Sequence, residues 1–368
     1  MSQVDFLDHF SSLEDPRIER SKLYPLSELL FLTLCAVIAG ADGWSDVEAF
    51  GKSKEDFLKR YLPFEHGIPS DDTLRRCFRA LNPDSFQECF IRWIHSLDIA
   101  IDTGVIAIDG KTSRRSHDGD KKALHTVSAF ASEARIVLGQ QKTDEKSNEI
   151  TAIPELLDLL DIQGATVTID AMGTQKDIAK KILDGGGDYV LALKGNQSTL
   201  HDDIRLFFED ESLLTEAKRQ EKTDGGHGRI EVRRCTVTDE IDWLQEHHDW
   251  KGLQSIIRID SEVEKQGKTS SETRYYISSL PADPERISQA VRSHWSIENS
   301  LHWTLDMSFG DDQSRIRKEN APQNMAVVKH IALNMIRKAQ KKRESVKGLR
   351  KKAGWDDQVL ERILGENF

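Results

Sequence analysis

Two short apolar stretches, VIAID at Val105–Asp109 and TVTID at Thr166–Asp170, decide the fold class of this chain. Each is rich in β-branched residues, follows a glycine closely and ends on an aspartate, which is typical of a buried strand. Between them, HTVSAFASEARIVLGQQK predicts a β-hairpin and ITAIPELLDLL predicts an amphipathic helix. This alternation of strands and helices predicts an α/β fold with parallel strands.

The flanking sequence predicts a helical region before this core and a β-rich insertion after it. Leu26–Ile38 is apolar on nearly all sides, which favours a buried helix, and Ser70 caps a second helix that carries arginines. That second helix either enters a DNA major groove or packs beneath the next domain. The other predicted elements are a helix over TQKDIAKKILDGG, strands at Tyr189–Leu193, Ile230–Val237, Leu253–Val263 and Thr273–Ser278, a Gly-rich loop at 223–229, a helix from Ile287 to about Leu305, and a basic helix from Asn320.

Length and composition favour a globular protein of the cytoplasm. A chain of 368 residues is long enough for two or three domains, and 38% hydrophobic with 31% charged residues is typical of a folded protein. The N-terminal MSQVDFLDHF carries acids where a signal peptide carries positive charge. The longest apolar run, Leu29–Ala41, is too short to span a bilayer, so we expect no membrane role. The four cysteines stand singly, which predicts buried thiols without disulfides or structural zinc.

The net charge of -11 conceals a basic segment near the C-terminus. Between Arg315 and Lys352 there are thirteen basic residues and two acidic ones, a local net charge of +11. This segment either binds nucleic-acid phosphates or forms a solvated helix face.

The two strand-terminal aspartates predict a site for divalent cations. Asp109 and Asp170 come at the ends of strands that we expect to be neighbours, where open α/β sheets place their ligands. Taken singly, each is as easily a cap or a turn residue, and Asp-Gly is a common turn dipeptide. Ionised carboxylates at close range repel one another unless cations lie between them, and Mg²⁺ prefers such oxygen ligands. Two ions at such a site can stabilise an in-line displacement at phosphorus.

Glu298, within HWSIENSLHW, is the predicted third carboxylate. Helical spacing places His294, Glu298 and His302 on one face at i, i+4 and i+8. The histidines can position a phosphate or move a proton, or the three side chains form an ordinary surface group. Two strand-terminal aspartates, a β-rich insertion and then a helix glutamate follow the order of a ribonuclease H-like catalytic core.

The chain resembles the ISAs-type insertion-sequence transposases, also called H-repeat-associated proteins, over essentially its whole length. The N-terminal DPR, YPLSELL and GIPSDDTLRR resemble the helical associated domain of that family. The segments that carry the rest of the resemblance are AIDGKTSRRS, KSNEITAIPELL, VTIDAMGTQKDIA, YVLALKGNQ, GHGRIEVR and HWSIENSLHWTLDMSFGDDQSRIR.

This resemblance implies a ribonuclease H-like fold and a DDE triad of Asp109, Asp170 and Glu298 that holds two Mg²⁺ or Mn²⁺ ions. It also implies DNA ends and target DNA as partners, and a homo-oligomer assembled on DNA. We expect a helical domain at 1–100, a catalytic domain at 101–345 with its β-rich insertion at about 205–284, and a basic tail at 346–368.

The family signature is incomplete in this chain. Related DDE transposases have an arginine four residues before the glutamate and a lysine seven after it, where this sequence has His294 and Leu305. Arg292, His302 or Arg315 are candidates to replace them. Asp306, Asp311 and Asp312 remain alternatives for the third ligand. Further candidate DNA contacts are Lys111, Arg114, Arg115, Lys194, Lys341, Lys342 and Arg343.

Three functions are compatible with these features. The first is a transposase that cleaves and joins DNA, the second is a nuclease or resolvase on the same core, and the third is a catalytically silent DNA-binding remnant of an insertion element. GGGDY and KGNQST match neither a Walker A loop nor a dinucleotide-binding loop, so we expect no nucleotide cofactor.

Overall fold

A nine-stranded β-sheet organises the part of the chain that the computed structural model describes, namely residues 5–97, 104–118, 122–143, 148–226 and 229–365. Its order across the sheet is β3-β2-β1-β4-β5-β9-β8-β7-β6. The strands are β1 (Val105–Thr112), β2 (His125–Ala131), β3 (Ile136–Thr143), β4 (Thr166–Ile169), β5 (Asp188–Leu193), β6 (Lys218–Gly226), β7 (Arg229–Thr238), β8 (Ser255–Lys265) and β9 (Lys268–Ser278). The architecture is therefore mixed α/β, as the sequence predicted.

The predicted parallel strands lie side by side in this sheet. β1 pairs in parallel with β4, and β4 pairs in parallel with β5. β2 and β3 form the predicted hairpin, and β2 pairs antiparallel with β1. The β-rich insertion continues the same sheet, because β9 pairs antiparallel with β5. Residues 223–226 of the expected Gly-rich loop belong instead to β6, which pairs with β7, while 227 and 228 lie outside the described residues.

Helices pack on the sheet and form the whole regular structure of residues 5–97. The two helices predicted in that region are confirmed, and Ser70 Oγ accepts a hydrogen bond from the amide of Thr73 at 3.3 Å. The helices are α1 (Asp5–Asp8), α2 (Leu26–Ile38), α3 (Trp44–Ser53), α4 (Glu55–Leu58), α5 (Asp71–Ala80), α6 (Pro83–Ser96), α7 (Glu149–Asp158), α8 (Lys176–Asp184), α9 (Ser198–Glu209), α10 (Asp242–Gln245), α11 (Pro284–Ser296), α12 (Trp303–Phe309), α13 (Ala321–Lys338), α14 (Val346–Trp355) and α15 (Asp357–Gly365).

Alternate residues of β1 point to opposite faces of the sheet, as the pleat of a strand requires. Val105 belongs to a smaller hydrophobic core that includes α11. Ile106 belongs to the main core, which includes α7 and α13. This alternation directs the side chain of Asp109 to the α11 face and position 110 to the α7 face.

α13 lies in the main core between the N-terminal helices and the sheet. It contacts α2, α5 and α6, and also β3. Asn324 donates to the carbonyls at positions 78 and 81, and Asn334 bonds to both backbone polar groups of Val137. The helix predicted from residue 320 is confirmed, but it does not present a basic surface, because α13 is buried on nearly all sides and Lys329 and Arg337 lie inside the protein.

Residues 346–365 form two packed helices in place of the basic tail expected at 346–368. α14 and α15 bury Leu349, Leu360 and Ile363 in the main core. Arg350 is also buried, and its Nε and one terminal nitrogen donate to the carbonyl of Val37 at 3.1 and 2.7 Å. The many basic residues of this stretch concealed its apolar spacing. Residues 366–368 lie outside the described part.

Candidate active site

Asp109 and Asp170 lie at one edge of the sheet, on two neighbouring parallel strands. β1 and β4 pair as far as Ile108 and Ile169, and each aspartate is the next residue. The structure thus brings together the two aspartates that the sequence placed at adjoining strand ends. β1 itself continues to Thr112 because it goes on pairing with β2, so the Asp-Gly dipeptide lies in a strand and not in a turn.

Backbone amides act on both carboxylates. Asp170 Oδ1 accepts hydrogen bonds from the amides of Met172 at 3.0 Å and Gly173 at 3.4 Å, in the turn that follows β4. The backbone amide of Gly110 favours the ionised form of the Asp109 carboxylate. Local backbone geometry therefore fixes the direction of the Asp170 side chain.

The charge of Asp109 is disfavoured in this structure. Burial raises the pKa of its carboxyl, the Gly110 amide opposes that rise, and the negative charges of Asp170 and Glu298 raise it further, to about 7. The negative charges of Asp170 and Glu298 therefore both act on Asp109. A cation bound beside these carboxylates would offset the free energy that opposes ionisation of Asp109.

The helix that carries Glu298 contains a π-helical turn that the sequence did not predict. α11 passes into a π-helix at Ile297–His302, which continues into α12. A π-helix has more residues per turn than an α-helix, so the regular α-helical spacing expected from His294 to His302 is interrupted at Ile297. Glu298 is exposed, while the two histidines turn towards the sheet.

Each histidine faces one of the two aspartate-bearing strands. His294 Nδ1 lies 3.0 Å from Thr168 Oγ1 on β4, and His302 Nδ1 lies 3.6 Å from Asp109 Oδ2. Burial lowers the pKa of His294, and burial together with the charge of Lys111 lowers the pKa of His302 to about 3. Both rings are therefore neutral near pH 7, and in this state neither supplies a positive charge for a phosphate.

Three acids that follow Glu298 are engaged in ion pairs. Lys111 Nζ lies 2.6 Å from Asp306, 3.8 Å from Asp311 and 3.7 Å from Asp312. Asp311 is also bound by Lys329 Nζ at 2.7 Å. These contacts argue against the three acids as alternative third ligands. They also argue against the predicted DNA contact of Lys111, whose side chain is only 9% exposed.

The other basic residues predicted to contact DNA are exposed. Arg114 pairs loosely with Asp312 at 3.3 Å and is 82% exposed. The structure places them at the end of β1, after β5, on α11, after α12 and in the turn between α13 and α14. In chain order they are Arg114, Arg115, Lys194, Arg292, Arg315, Lys341, Lys342 and Arg343.

A groove of about 860 Å³ lies between the β-rich insertion and the helix that leads to Glu298. Arg229, Arg233, Arg274 and Arg292 line it, and the Arg274 guanidinium lies 4.7 Å from the ring centre of Trp295. Sequence reasoning found only Arg292 of this set. The signal for two others was RIEVR at 229–233, where period-2 spacing directs both arginines to one face of β7.

The described residues contain neither a preformed metal cluster nor a membrane-spanning helix. Within them, no three His, Cys, Asp or Glu side chains are grouped closely enough to hold a metal ion. None of the helices in these ranges combines the length and apolar character needed to cross a bilayer. All four cysteines are buried free thiols, as predicted.

A mixed sheet with two aspartates at its edge and a glutamate on an adjoining helix is the arrangement expected of the transposase class that the sequence resembles. The chain belongs to the Transposase DDE domain family, which matches residues 100–335. The family described as DDE_Tnp_1-associated matches residues 7–94.

Relatives cover almost the entire chain. It is 42% identical over 378 aligned residues to the "H repeat-associated putative transposase YhhI" of Escherichia coli K12, covering 99% of this chain and 98% of that protein. It is also 42% identical to the "Putative transposase YncI" of Escherichia coli O157:H7, covering 99% and 95% respectively. A piggyBac transposase in a synaptic complex with hairpin DNA aligns with 97% of this chain and with 76% of the piggyBac chain at 11% identity. Its TM-score of 0.42 is too low to indicate a shared fold.

Proposed function

We propose that this protein is a DNA transposase that cleaves DNA at the ends of an insertion sequence and joins the freed ends to target DNA. The observation that carries the proposal is that Asp109 and Asp170 follow paired strand positions at one edge of the sheet in a DDE-family chain. The charge of Glu298, on the adjoining helix, also acts on Asp109. The strand order β3-β2-β1-β4-β5, with β2 alone running against the other four, supports a ribonuclease H-like core.

The three carboxylates are proposed to hold two Mg²⁺ or Mn²⁺ ions. Support comes from Asp109, whose pKa is raised by burial and by the neighbouring acids, a cost that divalent cations would offset. An all-oxygen donor set suits Mg²⁺ or Mn²⁺ better than softer metals. When bound, such ions stabilise the attacking and leaving oxygens at phosphorus.

The proposed reaction has two displacements at phosphorus. In the first, a water oxygen bonds to phosphorus at the element end and the bond to the 3′ oxygen breaks, which frees a 3′-hydroxyl. In the second, that hydroxyl oxygen bonds to a target phosphorus and the target 3′ oxygen leaves. His294 and His302 are proposed to assist as neutral hydrogen-bonding groups beside the reacting phosphate.

DNA is proposed to reach the site along exposed basic surfaces. The exposed Lys341, Lys342 and Arg343 supply positive charge on an otherwise acidic chain. The groove beside Glu298 adds four arginines, each of which also pairs with an acid: Arg229 with Glu231, Arg274 with Glu272, and Arg233 and Arg292 with Asp224. A homo-oligomer assembled on paired DNA ends is the proposed active form.

A strand-transfer assay tests the function. Labelled element ends with free 3′-hydroxyls are incubated with plasmid DNA and Mg²⁺ or Mn²⁺, and joined products are measured beside the Asp109→Asn variant. A transposase yields covalent joints that Asp109→Asn does not. Cutting of intact ends without joining would identify a nuclease, and binding without either reaction a silent remnant. Zinc is expected to support neither step.

A further inference from the structure

Helix α7 lies on the side of the sheet opposite to Glu298 and has no part in the function proposed so far. It comes from the segment KSNEITAIPELL, and it contacts β2, β3 and the turn that follows Asp170. Glu149 and Ile153 of this helix are four residues apart and therefore share one face. Each of them packs against a glycine whose amide acts on the carboxylate of one of the two aspartates.

The first contact is between Glu149 and Gly110, the residue after Asp109. A Cβ atom at position 110 would collide with Glu149 Oε1 and would lie 2.7 Å from His125 Nε2. Only a glycine leaves room for these two side chains. Residue 110 directly follows Asp109, and its amide favours the ionised Asp109 carboxylate, so the side chains that contact residue 110 also hold the backbone beside that carboxylate.

Glu149 is itself held rigidly. Its Oε1 lies 2.6 Å from His125 Nε2, and His125 Nδ1 lies 2.7 Å from Thr112 Oγ1. Glu149 is 4% and His125 3% exposed. Glu149 is also the first residue of α7, where the helix dipole favours a negative charge. This chain of contacts ties α7 and β2 to β1 within three residues of Asp109.

The second contact is between Ile153 and Gly173, in the turn after Asp170. A Cβ atom at position 173 would lie 2.8 Å from Ile153 Cδ1 and would also collide with Ile169. The amide of Gly173 donates to Asp170 Oδ1 at 3.4 Å. The same face of α7 thus supports the backbone amides beside both aspartates.

We infer that Glu149 and Ile153 are positioning residues that set the carboxylates of Asp109 and Asp170 through the amides of Gly110 and Gly173. Two aspartates from separate strands must keep a fixed distance to bind the same metal ions. One face of α7 contacts the backbone beside each aspartate, in β1 and in the turn after β4, and so holds that distance. The inference rests on the proposed function, since the spacing matters only if the two aspartates bind metal together.

The test is Glu149→Ala, which removes the side chain that contacts residue 110 and His125, compared with Glu149→Gln, which keeps the shape of the side chain and removes only its charge. Mn²⁺ binding to the DNA-free full chain is measured by calorimetry, together with kcat and KM for cleavage of element-end DNA. Residues that orient metal ligands typically contribute ten- to a hundredfold, so Mn²⁺ affinity and kcat of Glu149→Ala should each fall by about that factor while KM for DNA stays constant. An equal loss in Glu149→Gln would show that the charge of Glu149, which also raises the pKa of Asp109, acts in place of the contact, and would overturn the inference. The matched control is Glu155→Ala on the exposed face of α7.

Two further comparisons keep the outcome clear. A purely structural role for Glu149 would lower the melting temperature and leave Mn²⁺ affinity within twofold of the parent, which would overturn the inference. Ile153→Val removes a methyl group at the second contact, and should weaken Mn²⁺ binding in the same direction even if Glu149→Ala does not fold. If Asp109→Asn and Asp170→Asn also bind Mn²⁺ normally, the proposed function itself fails; if they lose binding while Glu149→Ala and Ile153→Val keep it, only the inference fails.

Discussion

Asp109 is a carboxylate whose surroundings oppose its charge. Burial and the charges of Asp170 and Glu298 raise its pKa to about 7, although the Gly110 amide favours the ionised form. Near pH 7 such a group is therefore only partly ionised, and a cation bound beside it would favour the ionised form.

Replacing Asp109, Asp170 or Glu298 singly by its amide should abolish cleavage and leave DNA binding intact, because the amide keeps the shape and loses the charge. Cleavage and gel-shift assays check this, and full Mg²⁺-dependent activity in any variant would remove that residue from the triad.

Asp109→Asn carries a second expectation, for thermal stability in a chelator. A raised pKa in the folded state means that protonation stabilises the fold, and this contribution is lost as pH rises from the ordinary aspartate range through about 7. Asparagine does not undergo this loss. The melting temperature of Asp109→Asn relative to the parent should therefore increase between pH 5 and pH 8. A constant difference across this range would contradict the raised pKa.

The two histidines should matter for rate and not for folding alone. His302→Ala and His294→Ala should each lower the cleavage rate by roughly ten- to a thousandfold, the usual contribution of a positioned hydrogen-bonding or proton-transfer group. His247→Ala, at an exposed position just after α10, is the control. If both active-site variants cut at the parental rate, the histidines only fill space between helix and sheet.

At the scale of elements, the sequence predicted what local patterns control. Runs of β-branched residues located β1 and β4, and their order along the chain indicated that Asp109 and Asp170 adjoin. The π-helical turn had no such signal in the local sequence, and one of its contacts is with a distant element. Arg337 on α13 donates to the carbonyl of Ser300 within that turn at 2.7 Å, and no local pattern connects the two residues.

The pairing of Asp311 with Lys329 and Lys111 is a further long-range feature, and it joins three elements: β1, the turn after α12, and α13. Burial alone would raise the pKa of Asp311, but the charges of Lys329 and Lys111 lower it to about 2. Asp311→Asn should therefore lower the free energy of unfolding by about 3–5 kcal/mol, because Lys329 is left buried without its counter-charge. Chemical denaturation measures this.

The same pair predicts a direction for acid sensitivity. A lowered folded-state pKa contributes stability that is present above the ordinary aspartate pKa and is lost as pH falls towards 2. Asp311→Asn should thus be less stable than the parent at pH 7, and the gap should narrow below pH 4. Arg114→Gln, 82% exposed and paired to Asp312, should change stability by less than about 0.5 kcal/mol. An equal effect of the two variants would show that Asp311 has no special role.

For the whole molecule, charge counted along the sequence was a poor guide to charge on the surface. The thirteen basic residues between 315 and 352 include Lys329, Arg337 and Arg350, which are buried and bonded inside the protein. Lys111 was misjudged for the same reason, since its three acidic partners lie about two hundred positions away. Most of the exposed remainder lies in the turn between α13 and α14 and along α14, while Arg315, Lys318 and Lys338 lie before that stretch.

This exposed group should set the salt dependence of DNA binding. Affinity falls with salt in proportion to the phosphates neutralised, with a slope of about -0.9 per contact on duplex DNA. We therefore consider a variant in which glutamine replaces five exposed residues of this group, namely Lys341, Lys342, Arg343, Lys351 and Lys352. This variant should bind element ends and unrelated DNA more weakly alike, and the slope of its salt dependence should flatten by roughly two to four units. Sequence preference should survive, because phosphate contacts carry no sequence information.

A variant with five other exposed lysines replaced by glutamine, at Lys52, Lys59, Lys180, Lys251 and Lys268, provides the control for the change in total charge. Both variants lose the same positive charge, so a general electrostatic effect would move both slopes equally. The salt slopes of the two variants should differ only if the segment after α13 contacts DNA phosphates. An unchanged slope in the first variant, or the same shift in both, would place the DNA elsewhere, and the arginine-lined groove between β7, β9 and α11 would then be the surface to mutate.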